Sequence, residues 1–113
     1  MVYTLNIPDC HPSINKLFRM HWSKRNALVD EWKEMVFYSA KEAKIPKITK
    51  PVEIFITYHH PKKTVDLDNY TPKLILDGLK PFIVDDNIQW IKKLGWEFKT
   101  GDKSTTVVIK EVN

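Results

Sequence analysis

The sequence has one cysteine among 113 residues and lacks any long apolar run, and these shortages exclude whole classes of protein. With Cys10 alone, no disulfide can form within the chain, so we exclude a disulfide-stapled secreted domain. No stretch approaches the roughly 18 apolar residues of a membrane span. The start, MVYTLNIPDCHP, has neither the basic nor the apolar region of a signal peptide. We therefore expect a cytoplasmic protein with no membrane partner.

Glycine is also scarce, with three in the chain, and none lies in a glycine-rich phosphate-binding loop. A Ser-His-Asp or Cys-His arrangement is missing too, and no organic cofactor is expected. Low-complexity segments and repeats are absent, and the length suits a single domain over residues 1–113. Lys and Arg outnumber Asp and Glu by 18 to 14, for a net charge of +4. This excess suits a polyanionic partner, although solubility alone would explain it equally well.

The hydrophobic pattern predicts alternating strands and helices. Residues 2–7 alternate as a strand does, residues 8–16 are expected to form a loop, and residues 22–43 have apolar side chains at helical spacing. A second strand is predicted over residues 52–58, and a short helix from residue 72. The last two strands, joined by TGDKS, are predicted to form a hairpin because Gly-Asp favours a tight turn. The fold class is therefore α/β (α+β), with one mixed β-sheet and helices packed on it.

Glutamate is absent from residues 64–89, yet this segment holds five of the fourteen acidic residues: Asp66, Asp68, Asp77, Asp85 and Asp86. In an extended chain Asp66 and Asp68 point to the same side, where two carboxylates repel unless water or a cation separates them. The avoidance of the longer glutamate arm indicates a defined geometry. Helix caps and turns are the alternative explanation, since aspartate is common in both.

The residues after Asn69 are typical of a helix start. Pro72 suits the first helical position and Thr71 would be its N-cap. The apolar face of this helix, which is expected to point toward the core, consists of Leu74, Ile75, Gly78 and Leu79. Lys73, Asp77 and Lys80 share the opposite stripe, and Lys73 and Asp77 are neighbours at four residues' separation. Asp85 and Asp86 follow a short apolar run and are expected to reach back to Asp66 and Asp68.

Carboxylate oxygens are the ligands that Mg²⁺ and Mn²⁺ prefer. Such an ion can activate water and neutralise charge on a phosphodiester, and a nearby lysine adds to that stabilisation. The aspartates, the lysine and the basic surroundings therefore predict a metal site for phosphodiester cleavage.

The series DLDN, a lysine, D-G-L and then DD resembles the RusA family of Holliday junction resolvases. The similarity extends to LNIPDCHPSINKLFR, which resembles the first strand and following loop of that family. The resemblance implies a RusA-like fold and a homodimeric, Mg²⁺-dependent endonuclease, with Mn²⁺ as the alternative ion, that cuts four-way DNA junctions symmetrically.

By position, the resemblance makes Asp66, Asp68 and one of Asp85 or Asp86 the metal-binding catalytic carboxylates, with Asp86 the better match. Lys73 matches the catalytic lysine. Asn69 and Asp77 match positions with supporting roles. The chain has three residues between Asn69 and Lys73 where the family usually has two, and a helix that begins at Pro72 would absorb the extra one.

Basic side chains near the first helix are candidate DNA contacts, with His21 and Trp22 interleaved. The candidates are Asn15, Lys16, Arg19, Lys24 and Arg25, together with Lys62 and Lys63 in the loop before Asp66. Two other functions remain open. One is a metal-dependent nuclease acting on flaps, forks or single strands, and the other is a non-catalytic DNA-binding module.

Overall fold

The computed structural model describes residues 1–62 and 70–112. The strands are β1 (Val2–Ile7), β2 (Val52–His60), β3 (Ile91–Thr100) and β4 (Ser104–Glu111), and the helices are α1 (Ile14–Phe18), α2 (Trp22–Glu42) and α3 (Lys73–Leu79). The 3₁₀ turn Lys80–Phe82 continues α3. The predicted class is confirmed, because the four strands form one mixed sheet and the helices pack on it.

The strand order is β1-β4-β2-β3. β4 pairs antiparallel with both β1 and β2, whereas β2 and β3 are parallel. The segment from β2 through α3 to β3 is thus a crossover between parallel neighbours, which is the usual role of a helix in such a connection. This crossover contains all five clustered aspartates of the sequence.

The predicted hairpin between the last two strands is wrong, since β2 lies between β3 and β4. The connection after β3 crosses the end of β2, where the Gly101 N–H donates to the His60 carbonyl at 3.0 Å. β4 buries every second residue, whereas β3 buries only its first residue and carries lysines, as is usual at a sheet edge. Burial of β4 between β1 and β2 therefore outweighs the local turn preference of Gly101-Asp102.

The core lies between one face of the sheet and the helices. Alternate residues of β2 point into it, including Ile54, Ile56 and Tyr58, and α2 contributes Trp32 and Val36. The predicted apolar face of α3 is buried as expected. This packing places the opposite, charged side of α3 at the surface.

Gly78 sets the distance between α2 and α3. A Cβ at this position would lie 2.5 Å from the Val36 Cβ and 3.2 Å from the Lys33 carbonyl oxygen. No side chain larger than hydrogen fits there without moving one of the helices. The glycine of the D-G-L motif therefore permits the close packing that holds Asp77 beside α2.

Two local boundaries differ from the sequence predictions. Residues 14–18, of which the first three were expected to lie in a loop, form α1, which the Ser13 hydroxyl caps by accepting from the Lys16 N–H at 3.2 Å. β2 continues past Tyr58 to His60. The described helices include none that is both long and apolar enough to cross a membrane.

Candidate functional site

A row of alternating charges runs along the exposed side of α3 and on to the turn before β3. The Lys73 ammonium lies 3.7 Å from an Asp77 carboxylate oxygen. The Lys80 ammonium lies 3.8 Å from the other Asp77 oxygen and 3.6 Å from an Asp86 oxygen. The first two contacts follow from helical spacing. The third joins α3 to the turn, so that Asp77 and Asp86 share one ammonium group.

Asp77 is the least exposed member of this row, with 14% of its side chain accessible. It lies on a groove between α2 and α3, whose other walls include Lys33 and Tyr38. With a lysine on each side, its carboxylate is held in place on α3. The structure shows the contact of Asp77 with Lys73, and the supporting role of Asp77 stays a prediction.

Asp85 and Asp86 are adjacent in sequence but differ in their contacts. One Asp85 oxygen accepts the Asp86 backbone N–H at 2.7 Å, and the other accepts the Asn87 side-chain amide at 3.2 Å. Asp85 thereby stabilises the turn. The Asp86 carboxylate is 37% exposed and contacts Lys80. The adjacent Asp85 carboxyl and the Lys80 ammonium hold the pKa of Asp86 below its usual range. Asp85 is thus engaged in the turn, whereas Asp86 makes its contact with Lys80. The choice of Asp86 over Asp85 as a metal ligand stays a prediction.

The start of α3 differs by one residue from the prediction. Lys73 is the first helical residue, Pro72 is the N-cap, and no side chain caps the helix. Thr71 was predicted to be the cap, but its carbonyl instead accepts a 2.8 Å hydrogen bond from the Tyr58 hydroxyl. The missing N–H of proline costs nothing here, because the first N–H groups of a helix have no partner within it. The Pro72 carbonyl accepts a helical bond from the Leu76 N–H.

A buried aromatic cluster includes Tyr70, which lies just before the start of α3. The His11 ring lies 5.0 Å from Tyr58, 5.4 Å from Tyr70 and 5.7 Å from Trp32. Its Nδ1 lies 2.7 Å from the Pro12 carbonyl oxygen, an acceptor, so Nδ1 carries the proton. Burial lowers the pKa of His11 and keeps the ring neutral near pH 7. The cluster fixes Tyr70, the first described residue on the approach to α3.

The basic candidates of the first helices are all at the surface. Lys16, Arg19 and Lys24 are exposed and Arg25 is half-buried. Among residues 1–62 and 70–112, none of these four cations takes part in an ion pair. Unpaired cations are available to phosphate groups.

Asn15 and Lys62 are also exposed. The Asn15 carbonyl accepts the Arg19 N–H at 3.3 Å within α1, and the Lys62 N–H donates to His60 Nδ1 at 3.1 Å. These bonds involve the backbone atoms of the two residues, and both side chains remain accessible from solvent.

The remaining predicted site residues, Lys63, Asp66, Asp68 and Asn69, lie outside the described residues. The described part of the chain, residues 1–62 and 70–112, contains no group of three or more His, Cys, Asp or Glu side chains that could hold a metal ion. The predicted metal site therefore depends on Asp66 and Asp68 joining Asp86.

Two features of the site were missed in the sequence. The contact of Lys80 with Asp86 spans a turn. In the sequence, only the spacing of Lys80 from Asp77 indicates that Lys80 belongs to the charged row. The burial of His11 has no sequence signal, because histidine is intermediate between buried and exposed residue types and His11 lies in a segment predicted to be a loop. Comparison with protein-family models and with curated proteins finds no match for this chain.

Proposed function

We propose that this protein is a divalent-metal-dependent endodeoxyribonuclease that resolves four-way DNA junctions. The observation that carries the proposal is the continuous charged row from Lys73 to Asp86. The row begins four residues after Asn69, the last residue of the DLDN motif, and so follows Asp66 and Asp68 closely along the chain. It links the residues that resemble the catalytic lysine and the last catalytic aspartate of the RusA family.

The side chains that would hold a metal ion are Asp66, Asp68 and Asp86. Carboxylate oxygens suit Mg²⁺ or Mn²⁺, and the partly exposed Asp86 carboxylate, which contacts the Lys80 ammonium, is accessible to such a cation. A bound ion of this kind supplies activation of water and neutralisation of phosphate charge. Asp85 fixes the turn that presents Asp86.

Lys73 would stabilise the charge that develops on the phosphate during cleavage. Its side chain is highly exposed, and its ammonium lies 3.7 Å from Asp77, which orients it without burying it. Asn69 would support the neighbouring carboxylates. Lys62 and Lys63, together with the cations of α1 and α2, would contact the DNA backbone.

Branched DNA and a second copy of the chain are the partners that this function requires. A four-way junction has two-fold symmetry, and two symmetric cuts are made most simply by a protein with the same symmetry. We therefore propose a homodimer that acts on the junction and places one metal site at each cut.

Cleavage of a synthetic four-way junction tests the proposal. We expect paired nicks with Mg²⁺, none with EDTA, and little cleavage of a linear duplex with the same arm sequences. Asp68→Asn should abolish cleavage, whereas Asp30→Asn, an exposed aspartate on α2, should not. Cleavage in EDTA, or full activity of Asp68→Asn, would contradict the proposal. Equal cleavage of flaps or single strands would favour the broader nuclease function, and metal-independent binding without nicks would favour a binding module.

A further inference from the structure

Two large aromatic side chains project from the basic segment that joins α1 to α2. Phe18 is 71% exposed and Trp22 is 64% exposed. Phe18 ends α1 and Trp22 begins α2. Single apolar residues are common on protein surfaces, but two exposed aromatic rings this close in sequence are candidates for a contact surface. Their exposure makes both rings available to a partner.

The charge around these aromatics is of one sign. No acidic residue lies between Asp9 and Asp30, whereas four cations do: Lys16, Arg19, Lys24 and Arg25. None of the four is ion-paired within residues 1–62 and 70–112. A surface that interleaves unpaired cations with exposed aromatic rings complements nucleic acid, whose phosphates bind the cations and whose bases stack on the rings.

The backbone holds the aromatics in place. Leu17 is buried and anchors α1, and His21 caps α2 by accepting the Ser23 N–H at 3.3 Å. The His21 ring also lies 5.6 Å from the Trp22 ring, at an interplanar angle of 34°. Phe18 and Trp22 are four positions apart in the chain, so their Cα atoms are at most about 14 Å apart, or about four nucleotide steps along a strand.

We propose that Phe18 and Trp22 form a stacking surface for unpaired bases of DNA, such as those exposed at a branch point. In a regular duplex the base faces are stacked on each other and cannot receive a side chain, whereas unpaired bases can. The surface thus favours branched or single-stranded DNA over linear duplex. This inference rests on the proposed function only in that both take DNA as the partner.

Binding measured in EDTA tests this inference apart from cleavage. Fluorescence anisotropy would compare a labelled single strand, a linear duplex and a four-way junction at one salt concentration. We expect Phe18→Ala and Trp22→Ala each to weaken binding of the single strand by about 5- to 150-fold, with a much smaller effect on the duplex. Tyr38→Ala is the matched control, because Tyr38 is also 64% exposed on α2 but has Glu34 and Glu42 as neighbours on that helix.

Several outcomes would overturn the inference. These are an equal loss for single strand and duplex, an equal loss in Tyr38→Ala, and no loss in either aromatic variant. Circular dichroism must show that both variants are folded. Dissociation of a dimer by Trp22→Ala in the absence of DNA would assign the surface to a second copy of the chain. Binding to anionic lipid vesicles in preference to DNA would assign it to a membrane. If the aromatic variants lose single-strand binding but the wild type never cleaves, the inference stands and the nuclease proposal fails.

Discussion

The Tyr58 hydroxyl donates a 2.8 Å hydrogen bond to the Thr71 carbonyl. This bond joins β2 to the residues just before α3. In the sequence, Tyr58 and Thr71 lie on either side of the segment that contains Asp66 and Asp68. Tyr58 is fully buried, whereas Thr71 is half-buried. The bond therefore fixes one end of the candidate site to the core of the sheet.

Tyr58→Phe should lower the free energy of unfolding by about 0.5–1.5 kcal/mol, because it removes the hydrogen bond to the half-buried Thr71 carbonyl. Urea unfolding measures this loss. Tyr38→Phe, which removes an exposed hydroxyl, should change stability by less than about 0.5 kcal/mol. Equal stabilities of the two variants would show that the bond to Thr71 contributes nothing.

Gly78→Ala should destabilise the fold by about 1–3 kcal/mol through overpacking, since the new Cβ would lie 2.5 Å from that of Val36. The better helix propensity of alanine offsets about 1 kcal/mol of the clash. Thermal or urea unfolding would measure the net effect. Gly101→Ala is the control, as its Cβ would come no closer than 3.7 Å to the His59 ring. A Gly78→Ala protein as stable as wild type would contradict the close helix packing.

Asp86→Asn and Asp85→Asn should have different effects on cleavage. Loss of the Asp86 charge should lower the rate at least about 100-fold, comparable to the loss of one group that stabilises the transition state. Asp85→Asn keeps an oxygen that can accept the Asp86 N–H, so it should retain most activity. Single-turnover cleavage of a junction under saturating Mg²⁺ compares them. Greater loss in Asp85→Asn would reverse the assignment.

The pH dependence of stability should report the buried His11. Burial lowers its folded-state pKa below 6.5, so below pH 6.5 the unfolded chain binds a proton that the folded chain excludes. Stability contributed by neutral His11 is present above pH 6.5 and is lost as the pH falls toward the folded-state pKa, by at most about 1.4 kcal/mol per pH unit.

His11→Phe removes this titration and keeps an aromatic ring beside Tyr58 and Tyr70. Urea unfolding from pH 7.5 to pH 5 should therefore give a flatter profile for the variant than for the wild type. Cys10 has a pKa raised to about 11 by burial, and burial also raises the pKa of Tyr58 and Tyr70. These neighbours stay neutral in this range. Parallel profiles would show that His11 does not titrate on unfolding.

The elements that the sequence predicted correctly are those with repeated patterns. α2 buries Trp32, Val36 and Ala40 at helical spacing, and β2 alternates over most of its length. The short helix α1 has only Leu17 as a buried residue, which is too little for a periodic pattern. The position of β4 between β1 and β2 depends on pairing between distant residues, and the local Gly101-Asp102 signal cannot reveal it.

The same distinction holds at the candidate site. The contact between Lys73 and Asp77 follows from helical spacing and was predicted. The contact between Lys80 and Asp86 depends on the path of the chain through the 3₁₀ turn and the segment after it, and no periodic pattern encodes that path. Sequence reasoning therefore identified the charged residues, whereas the structure shows how four of them are connected.

The central claim is that Asp66, Asp68 and Asp86 converge on one divalent cation. A crystal soaked in Mn²⁺ and measured for anomalous scattering tests it most directly. We expect one strong peak per chain, about 2.0–2.3 Å from oxygens of these three carboxylates, and its loss in Asp86→Asn crystals. Manganese bound elsewhere, or carboxylates of Asp66 and Asp68 that point away from Asp86 in a well-ordered soaked crystal, would contradict the claim.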